Sequence, residues 1–139
     1  MSESSVQATL GDVPFQVTLT DGVHRWLGDV NHSLGGVNSG PNPHQLLLSA
    51  LGACTAITVS MYAKRKAMPL AGVNVELSIL KEQLSPEIHT EIVRTIELHG
   101  ELDQTQRIRL LEIANACPIH KLLSGAVDIR SQLACQEQA

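Results

Sequence analysis

The sequence predicts a fold of the α+β class that forms one domain over residues 1–139. Apolar residues recur at period two near the N-terminus and again from Val73 to Ile79, which indicates antiparallel strands. Between these regions lies a long apolar helix that includes Ala50–Ala67. Strands and helices do not alternate as βαβ units, so a parallel sheet is not expected.

Three N-terminal segments alternate apolar and polar residues: Val6–Leu10, Phe15–Leu19 and Val23–Leu27. Asp21 and Gly22 separate the last two segments and form a strong hairpin signal. The first part of the chain is therefore predicted to be an antiparallel meander.

The segment Asn31–Pro43 contains three glycines and two prolines and is predicted to be irregular. A long irregular loop inside a compact domain is often functional, and glycine lets the backbone approach a ligand closely. A plain connector explains the same composition, and the sequence leaves both interpretations open.

The central helix is predicted to begin at Asn42, a good N-cap, with Pro43 at the first helical position and Gln45 as capping-box partner. From Leu46 onward the residues are apolar on almost all sides, which indicates either a buried helix or a membrane span. Serine and threonine residues interrupt the run, and Lys64–Lys66 end it. These polar residues favour a buried central helix over a membrane span.

The second half of the chain begins with a predicted antiparallel hairpin, formed by Val73–Ile79 and Ile92–Leu98 around a turn at Pro86. Asp103 then opens a helix, with Gln106 as a second capping-box partner.

The buried stripe of that helix is predicted to end in a cysteine, because Leu110, Ala114 and Cys117 follow one another at helical spacing. Pro118 breaks the helix and starts a new helical turn, which has Cys117 on its N-cap side and ends at Gly125. The last predicted element is a strand over Val127–Leu133.

Composition narrows the functional classes. Aromatic residues make up 2% of the chain, the net charge is −4, and no basic cluster exists beyond Lys64–Lys66, so neither a base-stacking nor a phosphate-backbone surface is expected. No secretory signal is visible at the N-terminus, which predicts a cytoplasmic, reducing setting. Cysteines in that setting favour redox or metal chemistry over structural disulfides, and the absence of a CxxC pair argues against structural zinc.

Two of the three cysteines stand in helical settings that suit a thiol site. Cys54 lies in the middle of the central helix, and Cys117 stands at a helix N-terminus, whose positive end and unpaired N–H groups favour the thiolate. Simple packing of a small side chain is the other interpretation for each. Cys135 falls in a polar tail and is expected to be functionally neutral.

Two motifs carry a resemblance to a known family. The first is N-P-x-x-L-L-L-x-A-L-x-A-C over Asn42–Cys54, and the second is A-x-x-C-P-x-x-x-x-L over Ala114–Leu123. Their order, and the 63-residue spacing of the two cysteines, resemble the OsmC/Ohr family of osmotically inducible and organic-hydroperoxide-resistance proteins.

The resemblance implies an OsmC-like fold, in which antiparallel sheets wrap around a long buried central helix, and an intertwined homodimer with two active sites at the subunit interface. It also implies that Cys54 is the peroxidatic thiol and Cys117 the resolving thiol, with an organic hydroperoxide as substrate and a dithiol as reductant. No cofactor and no metal are expected.

The chain departs from the family at His44. In the family's peroxidases an arginine from the N-terminal strands supplies positive charge, and a glutamate ten residues before the first cysteine holds that arginine; His44 occupies this position here. A histidine cannot hold an arginine through a bidentate ion pair, so either His44 supplies the charge itself or the chemistry is altered. Arg25 is the candidate arginine, with a solvated strand residue as the other interpretation. His120, one turn past Cys117, could tune that thiol, with an ordinary exposed histidine as the other interpretation.

Two functions from different classes follow. The first is a thiol-dependent peroxidase that reduces organic hydroperoxides through a Cys54–Cys117 redox pair. The second is an OsmC-like protein without strong peroxidase activity that binds a small apolar ligand or senses thiol state. A structural dimer whose cysteines only pack is a third, weaker hypothesis.

Overall fold

The elements follow the predicted α+β order. The structure is a computed structural model that describes residues 4–134. Its elements are β1 (Gln7–Leu10), β2 (Val17–Thr20), β3 (Arg25–Gly28), α1 (Pro43–Arg65), β4 (Leu70–Gln83), β5 (His89–Gly100), α2 (Gln104–Asn115) and α3 (Pro118–Ser124). Strands β1, β2 and β3 form one sheet in that order, and β4 and β5 form a second. The predicted α+β class is confirmed.

The described residues fall into two compact units, and the division lies within α1, β4 and β5. The first unit comprises residues 4–53 and 76–95, and the second comprises residues 54–75 and 96–134.

The N-terminal sheet of the first unit is the predicted meander. Strand β2 pairs antiparallel with both neighbours, so that Leu19 lies opposite Ala8 on one side and Trp26 on the other. The predicted second strand starts two residues late, at Val17, because Phe15 has a φ of 63° and leaves the extended region.

The glycine-rich loop folds back on the end of β3. The Asp29 N–H donates to the Pro41 carbonyl at 3.1 Å, and the Asn38 N–H donates to the Val30 carbonyl at 3.1 Å. A Cβ at Gly36 would collide with the Val30 carbonyl oxygen, so this close backbone approach requires glycine. His32–Leu34 form one turn of 3-10 helix, so the prediction that the whole loop is irregular is wrong for these three residues.

Asp29 is the buried polar anchor of this loop, with 2% of its surface exposed. Its carboxylate accepts from the Ser39 hydroxyl at 2.6 Å, the Ser39 N–H at 3.0 Å and the Val30 N–H at 2.7 Å. These bonds, led by the one from the Ser39 hydroxyl, hold the pKa of Asp29 below its ordinary value of 3.8.

Helix α1 begins as predicted, with both bonds of a capping box. The Gln45 N–H donates to Asn42 Oδ1 at 2.8 Å, and the Asn42 N–H donates to Gln45 Oε1 at 2.9 Å. In length and apolarity the helix could cross a membrane, a property that it shares with core helices of soluble proteins.

Burial of α1 within one chain is one-sided, although its residues are apolar on almost all sides. The buried stripe runs at four-residue spacing through Leu51, Thr55, Val59 and Ala63. Elsewhere on the helix large apolar side chains are exposed, with 54% of Ile57 and 66% of Met61 accessible. The single chain therefore covers only part of an apolar helix.

The core of the second unit forms between α1 and α2. Val59 and Ala63 of α1 meet Leu110 and Ala114 of α2, and each is at most 1% exposed. Half-buried apolar side chains surround them: Tyr62, Met68, Leu70, Val73, Ile96, Leu98, Leu102 and Ile113. Leucine and β-branched residues thus fill the core with few aromatics, as the composition requires.

Both ends of α2 follow the sequence signals. Asp103 caps the N-terminus, where its carboxylate accepts from the Gln106 N–H at 2.8 Å and the Gln106 side chain completes the capping box. Pro118 separates α2 from α3, and Gly125 caps the C-terminus of α3. The hairpin of β4 and β5 is confirmed and is longer than predicted at both strands.

The predicted last strand is wrong. Residues 127–133 form no strand, and their apolar side chains are exposed, with Ile129 at 84% and Leu133 at 98%. Alternation alone does not make a strand, because each strand needs a neighbour to satisfy its backbone groups. No strand between residues 4 and 134 pairs with this segment. Cys135 lies outside the described residues.

We predict that Leu110→Ala lowers the free energy of unfolding by about 2–5 kcal/mol, because it leaves a cavity in the α1–α2 core. Leu110→Met keeps the side-chain volume and is the matched control, with an expected cost below about 1.5 kcal/mol. Urea denaturation at one fixed protein concentration measures both values. Equal losses in the two variants would contradict the buried position of Leu110.

A second prediction concerns acid stability. Because the folded state lowers the pKa of Asp29, this carboxylate stabilises the fold above its unfolded pKa, and that contribution is lost as pH falls through the folded pKa. Asp29→Asn is therefore expected to lower Tm at pH 7 and to flatten the dependence of Tm on pH below about pH 4. The control is Asp12→Asn, since no described residue donates a hydrogen bond to that side chain. An unchanged acid limb in Asp29→Asn would refute the prediction.

Candidate thiol site

Cys117 occupies the predicted N-cap of α3. Its backbone is extended, with φ −64° and ψ 145°, and Pro118 follows at the first helical position. The Cys117 Sγ accepts a hydrogen bond from the His120 N–H at 3.3 Å. The side chain is completely buried, because the buried stripe of α2 runs directly into it. Burial opposes formation of the thiolate, and the N–H bond favours it.

A hydroxyl of α1 also faces this thiol. The Thr55 Oγ1 lies 3.9 Å from the Cys117 Sγ, and neither side chain is accessible to solvent. Thr55 is the polar member of the otherwise apolar stripe formed by Leu51, Thr55, Val59 and Ala63. The packing of α2 on α1 therefore places Cys117 in contact with Thr55 of the central helix.

Cys54 precedes Thr55 on α1 and is half-buried. Successive helical residues point about 100° apart, so Cys54 lies beside the buried stripe and does not belong to it. Its Sγ lies 3.9 Å from the Thr58 Oγ1. The structure brings Cys117 into contact with Thr55, the residue that follows Cys54.

His44, the first-turn histidine of α1, has an acidic partner in the first unit. Its Nε2 lies 2.9 Å from a carboxylate oxygen of Glu82 on β4. Their side chains are 57% and 36% exposed, so the pair is only partly shielded from water. Sequence reasoning missed Glu82, because no local signal links a strand carboxylate to a helix residue 38 positions earlier.

Arg25, the candidate arginine, is the first residue of β3 and lies opposite Thr20 in the sheet. It is exposed, and within residues 4–134 no ion pair or side-chain hydrogen bond involves it. The structure thus pairs His44 with an acid and leaves Arg25 solvated.

The basic run at the end of α1 is arranged around a tyrosine. The guanidinium of Arg109 lies 5.2 Å from the centre of the Tyr62 ring, and the cationic groups of Arg65 and Lys66 lie 5.5 and 6.0 Å from it. The Arg109 Nε donates to the Tyr62 hydroxyl at 2.9 Å, and this bond, together with Glu112, raises the pKa of Arg109. These cations are held by protein groups, and they do not form a continuous basic stripe.

An apolar groove of about 390 Å³ lies along α1 in the second unit. It begins two residues after Cys54, and its lining residues are Ala56, Ile57, Ser60, Met61, Leu70, Ala71, Gly72 and Val73. Such a groove could accept a small apolar molecule. As for metals, the described part of the chain holds no group of three or more His, Cys, Asp or Glu side chains suited to bind an ion.

Residues 36–132 match the family model described as OsmC-like protein. Among solved structures, the chain is similar to an OsmC-like protein from Mycoplasma pneumoniae, with 21% identity over 87% of this chain and 86% of the other, and a TM-score of 0.74. It is also similar to an organic hydroperoxide resistance protein OsmC from Legionella pneumophila, with 23% identity over 89% and 90% of the two chains and a TM-score of 0.64.

A third similar structure is the organic hydroperoxide resistance protein OhrB of Bacillus subtilis. The identity is 24% over 89% of this chain and 92% of the other, with a TM-score of 0.59. No curated protein sequence matches the chain. At these identities the structural likenesses establish a common fold.

We predict that His44 and Glu82 are weakly coupled. A double-mutant cycle with alanine at both positions is expected to give a coupling free energy of about 0.2–1 kcal/mol at low salt, and less in 1 M salt, because the pair is partly exposed. The matched control is a cycle of His44 with Lys81, the preceding residue of β4, which points to the other face of the strand. Equal coupling in both cycles would contradict a specific His44–Glu82 pair.

Proposed function

This chain belongs to the OsmC-like protein family, and from that premise we propose that it is a thiol-dependent peroxidase that reduces organic hydroperoxides. Cys54 is the peroxidatic thiol and Cys117 the resolving thiol in this proposal. The observation that carries it is the packing of the buried Cys117 against Thr55, the neighbour of Cys54 on α1. Residues 1–139 then form one OsmC-like domain, in which α1, β4 and β5 each run through both compact units.

The first step is oxidation of Cys54. Its thiolate attacks the terminal peroxide oxygen, a sulfur–oxygen bond forms and the oxygen–oxygen bond breaks. The alkoxide leaves and takes up a proton to give the alcohol, while Cys54 becomes a sulfenic acid. The half-buried position of Cys54 suits this role, because a peroxide must reach the sulfur.

The second step regenerates the enzyme. The Cys117 thiolate attacks the sulfenic sulfur of Cys54, a disulfide forms, and hydroxide leaves and is protonated to water. Complete burial of Cys117 supports the division of roles, since a thiol without solvent access is protected from the peroxide itself. A dithiol reductant, which a reducing cytoplasm would supply, returns both cysteines to thiols.

His44 is the proposed source of positive charge. A protonated His44 held by Glu82 is an ion pair with the cation on α1 and the acid on β4, the reverse of the family's helix glutamate and strand arginine. Arg25 remains a candidate for a supporting charge, and its exposed position is free to meet another molecule. Because the family resemblance implies active sites at the subunit interface, this charge would serve a thiol site formed with a second copy.

A homodimer accounts for the apolar surface that one chain leaves open. The exposed side of α1 carries Leu47, Ile57 and Met61, which are 42%, 54% and 66% accessible. Exposed large apolar side chains on one helix are typical of an interface with another chain. We infer that a second copy covers part of this surface and that the two thiol sites lie at the interface, as the family resemblance implies.

The apolar surroundings favour hydrophobic substrates. The groove that begins two residues after Cys54 has alanine, isoleucine and methionine along its helix wall. An alkyl or lipid hydroperoxide would bury its chain in such a groove, whereas hydrogen peroxide would gain nothing from it.

A second candidate function is binding of a small apolar ligand without strong peroxidase activity. The same groove, and the absence of the family's glutamate at position 44, favour it. Native mass spectrometry of the protein as purified separates the two functions, because a bound apolar molecule together with inert thiols would support the binding protein. The peroxidase requires loss of thiols on treatment with peroxide.

We predict that one equivalent of cumene hydroperoxide oxidises two thiols per chain and produces a Cys54–Cys117 disulfide, which peptide mapping by mass spectrometry detects. Cys54→Ser is expected to abolish peroxide consumption. Cys117→Ser is expected to consume one equivalent and to stop at the sulfenic acid, because no thiol resolves it. Cys135→Ser is the matched control and retains full turnover. If both thiols survive an excess of peroxide, the peroxidase proposal fails.

A further inference from the structure

The buried stripe of α1 contains a polar side chain at one position. Leu51, Val59 and Ala63 are apolar, whereas Thr55 carries a hydroxyl although its side chain is completely inaccessible. This hydroxyl lies 3.9 Å from the Cys117 Sγ, and valine would fill the same volume without it. A buried polar group costs free energy unless it is hydrogen-bonded, and the Cys117 sulfur is one group within reach of this hydroxyl.

We propose that Thr55 is a positioning residue for the resolving thiol: its hydroxyl holds the Cys117 Sγ beside the turn of α1 that carries Cys54 and donates a hydrogen bond to the thiolate. This inference rests on the proposed peroxidase function. It adds Thr55 to the proposed site as a third residue beside Cys54 and Cys117.

The environment of Cys117 supports this role. Complete burial disfavours a charged sulfur, so a resolving thiolate at this position needs hydrogen-bond donors. The His120 N–H is one donor, at 3.3 Å, and the Thr55 hydroxyl reaches the sulfur from the opposite element, α1. A hydrogen bond to an ionised acceptor is about twice as strong as one to a neutral acceptor, so the Thr55 contact tightens when the thiolate forms.

The same contact acts on the resolving step. When the Cys117 thiolate attacks the Cys54 sulfenic acid, a sulfur–sulfur bond forms, the sulfur–oxygen bond breaks, and hydroxide leaves as water after protonation. Thr55, which contacts the attacking sulfur, is the residue that follows Cys54 on α1. Without the hydroxyl, the thiolate is less populated and its position less restricted, so resolution slows while oxidation of Cys54 is untouched.

A purely structural role for Thr55 makes a different prediction. Threonine within a helix often bonds a carbonyl of the preceding turn, and its methyl group packs like that of valine. In that case Thr55→Val would leave the titration of Cys117 unchanged. The two interpretations therefore predict different effects of Thr55→Val on the pKa of the Cys117 thiol and on the rate of disulfide formation.

The first test measures the titration of the Cys117 thiol and needs no peroxide. In Cys54→Ser/Cys135→Ser protein, Cys117 is the remaining thiol, and absorbance at 240 nm against pH gives its titration midpoint. Adding Thr55→Val or Thr55→Ala is expected to raise the midpoint by about one unit, and Thr55→Ser to restore it. His120 is kept in every variant so that its charge contributes equally. The matched control is Ser49→Ala, which removes an α1 hydroxyl that donates to the Gln45 carbonyl at 2.7 Å.

The second test separates oxidation from resolution. In Cys135→Ser protein mixed with one equivalent of cumene hydroperoxide, Thr55→Val is expected to leave the rate of sulfenic acid formation unchanged and to slow disulfide formation about tenfold at pH 7. Equal midpoints and equal resolution rates in Thr55→Val and its parent would overturn the inference. If the parent forms no sulfenic acid, the proposed function fails, and the titration still decides the role of Thr55.

Discussion

The contact on which the candidate site depends is the packing of α2 against the buried stripe of α1. Val59 and Ala63 on one helix meet Leu110 and Ala114 on the other, and these are among the most completely buried side chains of the described chain. Because Cys117 continues the buried stripe of α2, this apolar contact also places its thiol against Thr55. The position of the thiol thus depends on hydrophobic packing in the preceding turn of α2.

Local backbone constraints then fix the environment of each thiol. Pro118 cannot continue α2, and the resulting break turns Cys117 into the N-cap of α3, where its sulfur receives the His120 N–H. Cys54 sits in the middle of an unbroken helix and has a threonine hydroxyl one turn ahead. One thiol is therefore buried and accepts a backbone hydrogen bond, while the other is half-buried, and this asymmetry suits the proposed division of roles.

Several predictions from the sequence agree with the structure because they rest on interactions within one turn of chain. Both capping boxes, the hairpin at Asp21, the break at Pro118 and the N-cap role of Cys117 are examples. The prediction of the last strand failed for the converse reason, since residues 127–133 alternate as a strand would and yet no strand within residues 4–134 pairs with them. A strand is stable only when it pairs with a neighbouring strand, and its own sequence does not show whether such a neighbour exists.

By itself the sequence determined the fold class, the ends of the helices and the motifs that carry the family resemblance, because these depend on neighbouring residues. Only the tertiary structure decided that Glu82 pairs with His44 and that Thr55 faces Cys117, contacts between residues 38 and 62 positions apart. It also decided that α1 is covered along one stripe, although its composition is apolar all round. Which faces meet depends on how helices pack and strands register, and no single segment encodes that choice.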